Sequence, residues 1–263
     1  MARILITGSS DGLGSLAAQA LVKRGHRVVL HARNEQRARD AYKACPDAES
    51  VLIADLSDLT ETKRLAEEAN TLGEFDCVIH NAGLFRGEYR KTAEGLPSVT
   101  AVNSVAPYVL TCLMKKPKKL VFVSSVLHHR GDASLGDWTW RQRGEEGWSD
   151  MQGYCDSKLH NILLAFGFAR RWKDVESNTL DPGWVATKMG GSNARGDIQS
   201  AVKTYVMLAE GCGESGKFFE SGKIGSYSKA ADDERLQDKF LQECEKITGV
   251  SIPESVNRSS DVE

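Results

Sequence analysis

The chain has 263 residues and a net charge of −2, from 34 Lys plus Arg against 36 Asp plus Glu. That balance gives no general attraction to nucleic acid or an anionic membrane, and the length suits one large α/β domain without a second. Cys45, Cys77, Cys112, Cys155, Cys212 and Cys244 are scattered without C-x-x-C spacing or accompanying histidines, which reads as free thiols in a reducing compartment.

"RILIT" at 3 to 7 is a short branched apolar run, predicted as the first strand. Its early start leaves no space for a signal peptide, and no apolar run approaches the ~20 residues of a membrane span, so a cytoplasmic protein is expected. A helix from Leu13 to Arg24, ended by Gly25, leads to a second strand, "HRVVLHA" at 26 to 32. Strands follow at "SVLIADL" (50 to 56), "FDCVIHNAG" (75 to 83) and "KLVFVSS" (119 to 125), with helices around 60 to 72 and 98 to 114. The basic cluster "KKPKK" at 115 to 119 reads as a solvated lead into its strand.

From Tyr154 to Trp172, Leu159, Ile162, Leu163, Phe166 and Phe168 follow a helical repeat without proline. A strand near 175 to 180, a helix from Asp197 to Ala209 and a short strand around Lys217 to Ile224 come next. A last helix over 232 to 248 carries the stripe Leu236, Phe240, Cys244 and Ile247 and stops at Gly249. Fully apolar strands alternating with helices predict a doubly wound parallel sheet covered on both faces, a single Rossmann-like domain over residues 1–249. The polar tail 250–263 is expected to be disordered.

Two stretches carry chemistry. "TGSSDGLG" follows the first strand and opens the first helix, so Gly8, Gly12 and Gly14 stand where a backbone can pass close to a pyrophosphate at a helix N-terminus. The spacing G-x-x-x-G-x-G is a variant of the dinucleotide fingerprint, and an ordinary tight turn is the alternative. After the second strand, Arg33 occupies the place of an acidic ribose-binding residue, which favours the 2′-phosphate of NADP(H); a solvated loop arginine is the other reading.

In "YCDSK", Tyr154 and Lys158 stand four residues apart, one above the other on a helix. An ammonium ~4 Å from the phenol at an effective dielectric near 20 favours phenolate by roughly 4 kcal/mol, about 3 units on a pKa of about 10. Such a phenol would suit acid and base work on an alcohol or carbonyl oxygen. A surface tyrosine beside a solvated lysine is the alternative for this pair taken alone.

With "ADL" at 54 to 56, "HNAG" at 80 to 83, "VNSVAPY" at 102 to 108, "VSS" at 123 to 125 and "DPGWVATKM" at 181 to 189, these motifs stand in an order that resembles the short-chain dehydrogenase/reductase family over residues 3 to about 190. The chain looks most like the branch containing retinol dehydrogenases and related carbonyl reductases. The resemblance implies that Tyr154 exchanges a proton with the substrate oxygen, Lys158 lowers its pKa and binds the nicotinamide ribose, Ser125 hydrogen-bonds that oxygen, and Asn103 holds a water. It implies cofactor contacts from Gly8, Ser10, Gly12, Leu13, Gly14 and Arg33, an adenine border at Asp55 and Leu56, and support from Asn81, Ala82 and Gly83. Pro182, Gly183, Val185 and Thr187 would border the nicotinamide.

The implied function is hydride transfer between NADP(H), preferred over NAD(H), and a small carbonyl or secondary alcohol substrate. A non-catalytic NADP(H)-binding sensor or scaffold of the same fold is the alternative; a nucleotide-sugar epimerase is disfavoured by the short chain after the sheet. Trp138, Trp140 and Trp148 either line a substrate mouth or anchor their loop. His128 and His129 read as loop histidines, and no metal is expected. Only "GGSNARG" stands between Met189 and the next helix, where the family usually inserts a lid. A homo-oligomer is left open, since the segment from Asn103 to Lys119 looks short for the dimer-contact helix.

Overall fold

The computed structural model describes residues 1–85 and 89–254; the rest of the expected tail, 255–263, lies outside the described residues. Seven strands pair in parallel in the order β3-β2-β1-β4-β5-β6-β7: β1 (Arg3–Ile6), β2 (Arg27–Ala32), β3 (Ser50–Ile53), β4 (Cys77–His80), β5 (Lys119–Val123), β6 (Glu176–Asp181) and β7 (Phe218–Glu220). β8 (Lys223–Ile224) closes the edge antiparallel to β7.

Side chains alternate across each strand, so Leu5, Val29, Val78, Leu120 and Phe122 join one apolar layer, and Ile4, Ile6, Val28, Leu30, Ile79 and Val121 the other. The first layer is covered by α3 (Leu59–Leu72), α5 (Ala106–Leu113), α6 (Asp150–Arg171) and α8 (Glu234–Thr248). The second is covered by α1 (Gly12–Lys23) and α7 (Ile198–Glu210), with Ala41 of α2 (Glu35–Ala44) at its margin. This is the doubly wound α/β sheet expected, and the strand order reverses beside β1, which opens a crevice beyond the carboxyl ends of β1 and β4. No helix among the described residues is long and apolar enough to cross a membrane.

Several details differ from the sequence reading. Helix α2, not anticipated, forms in "EQRARDAYKA" because Asn34 caps it, accepting from the Arg37 amide at 3.0 Å, although it buries only Ala38 and Ala41. The single strand expected at 217 to 224 is a hairpin, β7 and β8, turned by Ser221 and Gly222 with φ of 50° and 76°; two consecutive left-handed residues suit a two-residue hairpin turn. The helix expected at 98 to 114 contains a π-helical stretch, Ala101–Val105, between α4 (Ser98–Thr100) and α5, and Asn103 lies in it. Residues 250–253, read as the start of the tail, pack on the body: the Val250 carbonyl accepts from the Tyr108 hydroxyl at 2.7 Å, and that of Pro253 from the Trp172 indole at 3.3 Å.

Helix α6 is buried along its whole middle, Gly153 to Phe168, between the sheet and α8. Phe168 stacks near Phe122, Tyr108 and Trp172 with none of its surface exposed. Phe168→Ala should therefore cost about 3–5 kcal/mol and lower the thermal midpoint by roughly 10 °C, read by calorimetry or circular dichroism.

Candidate active site

The glycine turn leaves β1 under tight steric control. At Gly8, φ is 62° and an added Cβ would lie 2.7 Å from the Ala82 Cα; at Gly14 it would lie 2.5 Å from the Asn81 side-chain Nδ2 and 2.6 Å from the Gly8 carbonyl oxygen. Asn81 holds the turn by donating to the carbonyls of Thr7 and Gly8 at 3.0 and 2.9 Å, while the Tyr205 hydroxyl donates to its oxygen at 2.8 Å. His31, which the sequence reading missed, accepts from the Gly8 amide on Nδ1 and bonds the Ala54 carbonyl through Nε2, tying β1, β2 and β3 at their ends. Burial lowers its pKa to about 4, so the ring is neutral and can accept.

Helices α2, α3, α6, α7 and α8 each have an N-terminal amide bonded by a capping side chain, whereas Asp11 at the start of α1 makes no such bond. The α1 amides therefore remain available to an anion, and the glycine cradle leaves the approach open, which fits a dinucleotide pyrophosphate. Asp11 instead pairs with Arg37 at 2.5 Å and Lys188 at 3.3 Å. Arg33 is exposed; Ser10 and Leu13 are half-buried on the turn. Asp55 accepts from the Ser57 amide and hydroxyl at 2.9 and 2.7 Å, and Leu56 is buried in the apolar layer rather than facing a cleft.

Beyond β4 and β5 the four residues expected to act together converge. Tyr154 is buried with Ser125 near its hydroxyl, and the Ser125 Oγ accepts from the Leu127 amide at 3.3 Å. The Lys158 Nζ lies 5.1 Å from the Tyr154 ring centre and donates to the Val123 carbonyl at 2.9 Å. Asn103 and Leu84 exchange two bonds, the Leu84 amide to Oδ1 at 2.8 Å and Nδ2 to the Leu84 carbonyl at 2.9 Å, and Nδ2 also donates to Ser157 at 3.0 Å. Asn103 thus fastens the Asn81–Ala82–Gly83 segment beneath Lys158, and a Cβ on Gly83 would stand 3.5 Å from its Oδ1 and 3.7 Å from the Lys158 Nζ.

The electrostatics correct one expectation. Lys158 does not pull the phenol toward neutrality: burial raises the Tyr154 pKa, the charge of Asp181 raises it further, and only the neighbouring Ser125 hydroxyl acts the other way. Burial also lowers Lys158 to about 8, against the attraction of Asp181. In a site this dry, desolvation opposes both phenolate and ammonium, a cost that the expectation of a pair ~4 Å apart in a dielectric near 20 left out.

The segment between Ser125 and Tyr154 is anchored by its tryptophans. Trp138 meets His160 and Phe240 edge-on, and Trp140 is buried against Trp148 with the Arg143 guanidinium 3.6 Å above its ring centre. His128 bonds the Ser125 carbonyl at 2.6 Å and accepts from the Ser228 amide at 3.1 Å, so both ring nitrogens are taken by backbone. Phe85, also missed, sets its ring edge-on to Tyr154 with centres 4.7 Å apart. After Pro182, the chain runs without a helix to α7; Val185 is buried, Gly183 has φ 75°, and Thr187 approaches to 3.7 Å of where a Gly12 Cβ would be. Val126, Trp184 and Met189 are exposed apolar side chains in these segments.

The short chain dehydrogenase family model matches residues 2–135. The short-chain dehydrogenase chyC of Penicillium rubens is 48% identical over 96% of this chain and 100% of its own, and human retinol dehydrogenase 13 is 25% identical over 95% and 85%. Among solved structures, a protein from Mycobacterium paratuberculosis superposes with a TM-score of 0.78 at 24% identity, over 96% of this chain and 95% of that one. The Pseudomonas aeruginosa RhlG/NADP active-site complex superposes with a TM-score of 0.66 at 19% identity, over 83% and 94%. The glycine turn, the ordered strand ends and these likenesses agree: the chain belongs to the short-chain dehydrogenase/reductase family of oxidoreductases, near its retinol dehydrogenase branch.

Proposed function

We propose that the protein is an NADP(H)-dependent oxidoreductase that reduces a small carbonyl compound, or oxidises the matching secondary alcohol, with Tyr154 as general acid and base. The observation that carries this reading is the buried Tyr154 beside Ser125 with a buried Lys158 whose Nζ lies 5.1 Å from the phenol ring centre, an arrangement a binding module does not require. The NADP complex of the Pseudomonas neighbour supports the choice of cofactor.

In this reading the α1 amides and the Gly8–Gly14 cradle receive the pyrophosphate, Arg33 meets the 2′-phosphate, and Asp55 flanks the adenine while Leu56, its side chain in the core, offers only backbone there. Asn81, Ala82 and Gly83 support the floor, and Pro182, Gly183, Val185 and Thr187 border the nicotinamide. The bound cofactor supplies or accepts the hydride. Ser125 hydrogen-bonds the substrate oxygen while Tyr154 delivers a proton to it; the raised pKa keeps the phenol protonated at neutral pH, the state that donation needs. Lys158 spends one of its three N–H groups on Val123 and keeps two for the ribose hydroxyls. Asn103 fixes the backbone that this lysine faces. A cytoplasmic setting suits the free cysteines.

Tyr154→Phe should bind NADPH as the parent does, by fluorescence titration, and lose at least about 10²-fold of NADPH oxidation across aldehydes, ketones and quinones; retained turnover would assign the proton to another group. Arg33→Ala should weaken NADPH by roughly tenfold or more and leave NADH unchanged, and an unaltered preference would remove Arg33 from the phosphate.

A further inference from the structure

Asp181, the last residue of β6, is a buried carboxylate inside the site that none of the assigned roles uses; 5% of it is exposed. Each of its oxygens is taken by a backbone donor. Oδ2 accepts from the Val126 amide at 2.8 Å, directly after Ser125, and Oδ1 accepts from the Gly183 amide at 2.8 Å, in the turn after β6. The two segments joined in this way flank the reacting atoms: one carries the hydroxyl for the substrate oxygen, the other borders the nicotinamide.

The same carboxylate faces titratable groups from each element packed around it. Tyr154 and Lys158 come from α6, Tyr205 from α7 and His128 from the turn after β5; on β7 the exposed Glu220 is its register partner. Its charge raises the pKa of Tyr154, Lys158, Tyr205 and His128 alike, acting with burial on the two tyrosines and against it on the lysine and histidine.

We propose that Asp181 is a positioning residue that clamps the Ser125 segment to the Pro182–Gly183 turn through Val126 and Gly183, and sets a negative charge behind the Tyr154–Lys158 pair. The catalytic consequence rests on the reductase reading above; the clamp does not. A carboxylate is required because both partners are donors: an asparagine in the same rotamer would turn its NH2 toward one of them and leave two donors facing.

The test compares Asp181→Asn and Asp181→Glu with the parent by hydrogen exchange of the peptides covering 124–131 and 182–191, and by the pH dependence of NADPH oxidation. Asp181→Asn should exchange faster in at least one of the two peptides while the rest of the chain is unaltered, and its alkaline limb should fall to lower pH by about one unit, because loss of the anion makes phenolate and neutral lysine easier to form. Unchanged exchange in both peptides would overturn the clamp, and an unmoved limb would overturn the electrostatic part. Should Asp181→Asn not fold, Asp181→Glu keeps the charge but mis-spaces the clamp: kcat should fall about tenfold with the alkaline limb in place, and parental kcat would overturn the proposal. A parent protein that oxidises NADPH with no carbonyl in the panel would sink the reductase reading, while the exchange result would still decide the clamp.

Discussion

The parallel register of β1, β4, β5 and β6 is the constraint from which the site follows. Parallel strands end on the same edge of the sheet, so residues far apart in the chain emerge along one edge: Gly8 after β1, Asn81 after β4, Ser125 after β5 and Asp181 at the end of β6. The helices between them are the price of that register, since a parallel crossover needs a long connection and both sheet faces must be covered. Helix α6 serves twice. Its apolar residues fill one layer, and its buried polar residues bring Tyr154 and Lys158 to the edge where β5 ends.

Placing polar groups in so dry a position requires partners, and the backbone supplies most of them. The Val123 carbonyl accepts from both Lys158 and Asn161, the Lys158 carbonyl accepts from Ser124, and Asn103 reads Leu84 as a strand would. Each of these bonds fixes a side chain by an atom that cannot rotate away, which is how a loop-built site acquires a defined geometry. His31 and Asp181 extend the pattern to the two flanks, one tying the glycine turn to neighbouring strands, the other tying the serine segment to the Pro182–Gly183 turn. Burial also sets the charge balance of the pair, because it raises the phenol pKa and lowers that of the ammonium.

Much of this was legible in the residues. The branched apolar runs between amphipathic segments pointed to a covered parallel sheet, because strands apolar on both faces need a layer over each, and the intervening helices supply it. Gly8 and Gly14 were legible because backbone meets backbone there, and Ser125, Tyr154, Lys158 and Asn103 because their order and spacing are shared across a family. Helix α2 was not, for its sequence is charged and buries little beyond two alanines, so its cap at Asn34 was the only local signal.

What the tertiary structure decided is whatever depends on distance through space. The tryptophans left open between a substrate mouth and an anchor prove to be anchors for Trp138 and Trp140, since α8 and α6 supply Phe240 and His160 from elsewhere in the chain. Leu56 turns into the core because the α3 layer lies beneath it. The balance at Tyr154 depended on how deeply α6 is buried, a quantity no i, i+4 spacing contains. Asp181 stood in plain view beside Pro182 and Gly183, yet its two partners, Val126 and Gly183, become neighbours only when β5 and β6 pair. The sequence by itself determined which residue types meet at the strand ends; the packed sheet decided which atoms touch, and so which groups carry charge.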